Sequence, residues 1–444
     1  MKYINHSRVK LALFSGLLLV PLTACDLGVS DPDIVTPESL EGEAGRNAIY
    51  AGAIGDFAVA HDGGAGFGSF LDGHVTTSAY MSDEAYASGT FPTRREFDDR
   101  DVNSNNGTLA GVFARLQRAR RATESGAEVL AAADAGDPRI SELQSLAGFL
   151  YIAFGEGFCS GVPFSSAPLD GEVEFGAPQT TEQIFSIAID RFNSAGATNL
   201  AKVGRGRSLL NLDRYDEAAA EVADVPTDFV YLVTHSLTSS RQENGLNASN
   251  GLTLRLSIAE DEGGSGTPYR DGSDDGEGLN FLTAEDPRLP FTVVNDAFDA
   301  TVDSTYIMLA YGGFGITLDR TAPAPLASGI EARLIEAEAA LASGNAPLAL
   351  LILNDLRTRV PGLGPLIAVD VDVLFEERAF WLYGTGHRLG DLRRLVRQYG
   401  RDQANVFPTG DYFKGGNFGS DVNLPIPQEE ENNPEFDECI DRNA

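Results

Sequence analysis

Cysteine is nearly missing from this chain of 444 residues: three are present, at positions 25, 159 and 439. None stands in a Cys-x-x-Cys pair, which argues against a zinc knuckle and a thioredoxin-like redox site. Histidine is also scarce, with five residues and no His-Glu-x-x-His. No Gly-x-Ser-x-Gly elbow and no phosphate-cradling glycine loop ending in lysine is present, so the common hydrolase and nucleotide motifs are missing. Basic residues are few: 33 Lys and Arg face 65 Asp and Glu, for a formal charge of -32. Such a surface repels phosphate backbones and anionic bilayers, which argues against nucleic-acid partners. One long apolar run exists, Leu11 to Val20. No other run approaches the roughly 18–20 residues of a spanning helix.

That single run sits behind Lys2, Arg8 and Lys10 and ahead of Leu22-Thr23-Ala24-Cys25. A basic start, a short apolar core and small residues before a cut make a secretory signal. Its ending resembles the lipobox of bacterial lipoproteins, which implies that Cys25 is acylated and becomes the first mature residue. The alternative is an ordinary signal peptide with a chance cysteine. Residues 1–24 would then be removed, leaving 420, outside the cytoplasm and held to a membrane by acyl chains. The removed segment carries three positive charges and no negative one, so the mature charge is about -35. Residues 25–40, with Pro32, Pro37 and three aspartates, read as a lipid-anchored tether. Asp26 follows the lipid cysteine, and in some bacteria that residue retains lipoproteins in the inner membrane. In an oxidising compartment Cys159 and Cys439 either pair or remain two buried thiols.

Residues 41–444 form the folded part. Ser39 to Val59 predicts a first helix. Residues 61–107 are rich in Gly, Asp and Asn and read as loop. Val112, Leu116, Ala119, Ala122, Val129 and Leu130 recur at helical spacing over 112–132. Asp137-Pro138 starts a further helix that runs to Gly155-Glu156-Gly157. Thr180 or Thr181 caps a helix over 182–195. Leu200 to Asn211 and Tyr215 to Val225 form a hairpin that resembles the middle of a tetratricopeptide repeat. Glu331 to Leu341 and Leu348 to Arg359 form a second. The two are not contiguous, so a regular solenoid is not expected. The expected architecture is mainly α. A helical-repeat lobe covers about 108–230 and 328–400, and a loop-rich lobe with short strands covers about 61–107 and 235–325.

Several further stretches line up in order. They are Gly155 to Phe164, Asp286-Pro287-Arg288, Arg333 to Ala339, and Leu353-Asn354-Asp355-Leu356-Arg357. Glu377-Arg378, Gly386, Arg388 and Asp391-Leu392-Arg393 follow, then Leu424-Pro425-Ile426-Pro427, Glu430 and Asn433-Pro434. Together with the lipobox, this succession resembles the SusD/RagB family of nutrient-binding outer-membrane lipoproteins, over essentially the whole mature chain. The family has glutamates where this chain has Trp381 and Thr385. The resemblance implies a cell-surface lipoprotein that binds an oligosaccharide or a peptide. It further implies a SusC-like, TonB-dependent outer-membrane channel as partner, with no covalent chemistry and no cofactor.

From the residues themselves, Glu377 and Arg388 flank a break at Gly384 to Gly386 and are expected to pair across it, with Asp391 capping or pairing nearby. Such pairs set geometry more than stability. Leu424 to Pro427 is expected to be a rigid strap on the helices. Sugars stack their apolar faces on aromatic rings, so Tyr80, Tyr86, Phe91, Tyr306, Tyr311 and Phe314, all in the loop-rich segments, are the candidate ligand contacts. His61 and His74 are expected to be solvated. Asp271 to Leu282 begins like a calcium loop but lacks the final glutamate, so no metal is assigned. Two other functions fit a secreted chain: a tetratricopeptide scaffold in outer-membrane assembly, which predicts regular repeats, and a glycosidase, which predicts an essential carboxylate pair.

Overall fold

The computed structural model describes residues 42–66, 70–166, 172–260, 278–295, 299, 302 and 304–444. The signal segment, Cys25, the tether and residues 271–277 of the calcium-like loop lie outside the described residues. The helices are α1 (Gly42–Asp62), α2 (His74–Met81), α3 (Pro92–Asp98), α4 (Gly107–Ala133), α5 (Arg139–Gly157), α6 (Thr181–Ala195) and α7 (Asn199–Asn211). They continue with α8 (Tyr215–Val222), the single turn α9 (Gly245–Asn247), α10 (Gly329–Ala342), α11 (Ala346–Arg357), α12 (Val371–Trp381) and α13 (Arg388–Arg397). The strands are short: β1 (Gly64–Ala65), β2 (Phe70–Leu71), β3 (Ala85–Tyr86), β4 (Val162–Pro163), β5 (Pro178–Gln179), β6 (Val230–Val233) and β7 (Ser257–Ile258). Then come β8 (Phe291–Val294), β9 (Thr305–Met308), β10 (Ala310–Tyr311), β11 (Ile316–Thr317) and β12 (Ala324–Ser328). No helix among the described residues is long and apolar enough to cross a membrane.

The helices start where local chemistry lets them. Thr180 accepts from the Gln183 N–H while the Gln183 side chain reaches back to the Thr180 N–H, a capping box. Asn106, Thr198, Ser328, Asn345 and Asp370 cap α4, α7, α10, α11 and α12 in the simpler way. Each amphipathic helix then buries its apolar row, for example Ile184, Phe185, Ala188 and Phe192 on α6. Helices α4 to α8 pack successively in chain order. The Phe192 ring inserts between α5 and α7 where Gly148 and Gly204 leave room; a Cβ on Gly148 would lie 2.6 Å from the ring.

Hairpin α7/α8 stacks directly on hairpin α10/α11, although more than a hundred residues separate them. The intervening excursion is closed at its base by antiparallel pairing of β6 with β12, Val230 opposite Ser328 and Val233 opposite Ala324. The repeat is therefore continuous in space and interrupted in sequence.

Residues 61–107 are not loop alone, since α2 and α3 lie within them. Every residue of α2 is buried, so no polar face announces it. His61 and His74 are buried there too, not solvated. Burial lowers the His74 pKa to about 3, so it is neutral. Burial disfavours the Asp62 carboxylate, yet His61 and His235, 2.9 and 3.2 Å away, hold it ionised below the usual range.

Buried arginines staple the elements. Arg388 pairs with Asp83 at 2.6 Å, and Glu377 with Arg288 at 2.8 Å. The expected Glu377–Arg388 pair is thus replaced by two longer-range pairs, because the break turns the two side chains toward different neighbours. Asp391 pairs with Arg378 and Arg394, both at 2.8 Å. Arg393 donates to the carbonyls of Gly155, Glu156 and Phe158, closing the C-terminal end of α5. The strap runs beside them: the Leu424 N–H donates to Gly157 and the Cys159 N–H to Leu424. Cys159 and Cys439 are joined, with Cα atoms 6.0 Å apart.

Candidate functional site

The aromatic candidates do not share one environment. Tyr80 and Tyr311 are 1% and 0% exposed and belong to the core. The Tyr80 hydroxyl donates to the Arg255 carbonyl at 3.0 Å, and the Tyr311 hydroxyl accepts from Asn244 at 2.7 Å. Burial raises both phenol pKa values well above the ordinary range. Neither ring reaches solvent, so neither contacts a ligand in this conformation. Phe314 is half-buried on the turn Gly312–Phe314, and no ring contact joins it to the others among the described residues.

Tyr86, Phe91 and Tyr306 are different. Strand β3 pairs with β7, Tyr86 opposite Ser257, and the Ser257 hydroxyl accepts from the Tyr306 N–H at 2.9 Å. Tyr86 and Tyr306 therefore sit on strands that both adjoin β7. The Tyr86 hydroxyl donates to the Ser304 carbonyl at 2.9 Å, which fixes its ring. Phe91 is 38% exposed, with the Arg255 guanidinium 4.3 Å from its ring centre.

A further aromatic comes from the C-terminal segment. The Phe413 ring lies 5.2 Å from Tyr86, edge to face, and is 41% exposed. Two anchors hold its loop. The Lys414 ammonium donates to the carbonyls of Ala87 and Gly89, the latter at 2.5 Å, and lies 5.3 Å over the Phe413 ring. Below it, Asp98 accepts from the Ala87 N–H at 2.9 Å and from the Tyr412 hydroxyl at 2.6 Å. Burial pushes the Asp98 pKa up to about 7. Arg95 adds a bond to the Gly415 carbonyl at 2.7 Å.

The rings of Tyr86 and Phe413 thus meet, with Lys414 anchored beneath them, and Phe91, stacked by Arg255, stands exposed on the same segment as Tyr86. Exposed rings flanked by hydrogen-bonding cations can stack an apolar face and bind polar groups at its rim. This is binding chemistry, not covalent chemistry. Phe413 was not among the sequence candidates, although Gly410-Asp411-Tyr412-Phe413-Lys414-Gly415-Gly416 carries a cue: two adjacent aromatics inside a glycine-bounded turn. Among the described residues no group of three or more His, Cys, Asp or Glu side chains could hold a metal ion.

No protein-family profile matches the chain, and no curated protein matches it. Solved structures do. A SusD superfamily protein from Bacteroides thetaiotaomicron aligns with a TM-score of 0.63 at 16% identity, over 89% of this chain and 98% of that one. Surface glycan-binding protein A from Bacteroides thetaiotaomicron, in complex with laminarihexaose, aligns with a TM-score of 0.62 at 11% identity, over 89% and 98%. A SusD-like protein from Bacteroides fragilis aligns with a TM-score of 0.62 at 11% identity, over 91% and 98%. The chain has the SusD-like fold: mainly α, with tetratricopeptide-like hairpins.

Proposed function

We propose that this chain is a SusD/RagB-type surface lipoprotein that binds a glycan on the face formed by Tyr86, Phe91 and Phe413. The observation that carries this reading is the group of partly exposed rings Tyr86, Phe91 and Phe413, brought from two distant segments, on a fold shared with a protein solved with laminarihexaose. Two exposed rings held by backbone-anchored loops suit an extended, hydroxyl-rich ligand with apolar faces, and the site is largely pre-formed. Anchoring falls to Cys25, which is acylated and becomes the first residue once residues 1–24 are removed. The protein then delivers its glycan to a SusC-like, TonB-dependent outer-membrane channel, without chemistry of its own.

Affinity electrophoresis of the purified lipoprotein against a panel of soluble polysaccharides, laminarin included, tests the binding step. Retardation by at least one polysaccharide is expected, and Phe413→Ala weakens it about tenfold, in line with one lost stacking contact. Binding that survives Phe413→Ala and Tyr86→Ala unchanged would remove the site. Co-purification from detergent-solubilised outer membranes tests the partner: recovery without a stoichiometric barrel protein would reject the delivery step.

A further inference from the structure

Most carboxylates inside this protein face a guanidinium. Asp72 has Arg94, Asp83 has Arg388, Glu156 has Arg207, Glu377 has Arg288, and Asp391 has Arg378. Glu142 on α5 breaks that pattern. It is half-buried, and its two oxygens accept from the hydroxyls of Tyr50 on α1 and Tyr231 on β6, the latter at 2.6 Å. Among the described residues no cation pairs with it. Arg139, one turn earlier on the same helix, is taken by Asp137 and Asn47.

Glu142 stands on the wall of a cavity of about 360 Å³ between α1, α5 and β6. The remaining lining is largely apolar, with Ile54, Phe57, Leu146 and Val233. That volume lies at the small end of the range of ligand sites. Burial, and then the bond to Glu142, raises the pKa of both phenols, so they stay protonated and donate. Each carboxylate oxygen keeps a lone pair after accepting one phenol. The phenols orient the negative charge without neutralising it. A half-buried charge next to apolar walls and without a counter-ion favours a ligand that brings one. Anions are repelled by it, and a neutral apolar ligand would leave it uncompensated.

We propose that this cavity is a second binding site, separate from the aromatic face, for a small primary amine on an apolar stem. The ammonium pairs with Glu142 between the two tyrosine hydroxyls, and the stem lies against Ile54, Phe57 and Leu146. The inference rests on no part of the glycan reading.

The test uses the full chain in detergent micelles with 2-phenylethylammonium as probe, followed by isothermal titration and saturation-transfer NMR. The neutral 2-phenylethanol and the stemless methylammonium are the controls, because a chain of net charge -32 attracts any cation weakly. One saturable site for 2-phenylethylammonium is expected, with both controls at least about tenfold weaker. Glu142→Gln, measured in the same micelles, should lose at least about tenfold in affinity. Ile54→Trp, which fills the cavity and leaves the carboxylate in place, should lose a similar factor. Absence of saturable binding up to about 10 mM overturns the proposal. So does methylammonium binding as well as the probe, or full binding in the Glu142 and Ile54 variants. Circular dichroism of both variants separates loss of the site from loss of the fold, and Ile54→Trp serves if Glu142→Gln does not fold.

Discussion

Replacing Gly148 by alanine sets two effects of opposite sign against each other. Gly148 is inside α5, where alanine is favoured over glycine by about 1 kcal/mol. If the helix alone mattered, the substitution would stabilise. The added Cβ, however, would lie 2.6 Å from the tip of the Phe192 ring, where carbon contacts normally begin near 3.4 Å. The ring has little room to retreat. It is fully buried, its tip faces Gly204 of α7 on the other side, and its face is met edge-on by Phe149 at 5.1 Å. Overpacking of this kind costs about 1–3 kcal/mol, and more where the neighbour is trapped. With a clash of about 2 kcal/mol against a helix gain of about 1, the clash should win and Gly148→Ala should destabilise by about 1 kcal/mol net. Shortening the ring gives the control. Phe192→Leu alone costs roughly 2 kcal/mol through lost packing, but it also vacates the space the new methyl needs. In the double variant the clash should vanish and only the helix gain remain, so Gly148→Ala should there stabilise by about 1 kcal/mol, a coupling of about 2 kcal/mol. Urea titrations of the four proteins, followed by circular dichroism, measure it. A Gly148→Ala protein more stable than wild type, or a strictly additive double variant, would refute the account of how α5, α6 and α7 pack.

The raised pKa of Asp98 makes a pH-dependent prediction. Because the folded-state value is pushed up to about 7, the contribution of Asp98 is full below the unfolded carboxylate value and is lost as pH rises through about 7. Asp98→Asn mimics the neutral acid, so the stability difference between wild type and variant should shift by about 2–3 kcal/mol between pH 5 and 7, in favour of the variant at the higher pH. Glu84, also pushed up to about 7 by burial, titrates in both proteins and cancels. A difference independent of pH in urea melts would sink this assignment. Cys439→Ser opens a link between residues 280 apart in sequence and should cost about 5 kcal/mol by chain entropy. Equal melting temperatures with and without reductant would contradict it. Arg393→Met abandons three carbonyls at the end of α5 and should cost about 3 kcal/mol, read as a lower urea midpoint.

Much of the helical framework was legible because its signals are local. Thr180 with Gln183, the apolar row of α6 and the turn at Asp213-Arg214 are each signals spanning a few residues, and the structure places α6 at the first two and the α7/α8 junction at the third. Helix α2 was not legible, since eight buried residues leave no polar face from which to read a period. The aromatic candidates show the same limit. Tyr80 and Tyr86 stand in one glycine-rich stretch, yet one fills the core and the other borders solvent. Phe413 could not be grouped with Tyr86, because the two stand 327 positions apart and are brought together by tertiary contacts: those of Lys414 with the backbone, of Arg95 with Gly415, and the shared acceptor Asp98.

By itself, the sequence determined the helical class, the two repeat hairpins and the order of motifs that resembles one lipoprotein family, because periodicity, caps and short motifs act over a few residues. Only the tertiary structure decided that the two hairpins stack across the β6–β12 closure. It also paired Glu377 with Arg288 and Arg388 with Asp83, and left Glu142 on a cavity wall without a cation among the described residues. The physical reason is one of range. A buried charge pairs with whatever the packed elements bring within about 3–4 Å, and that neighbour is set by the fold as a whole rather than by distance along the chain.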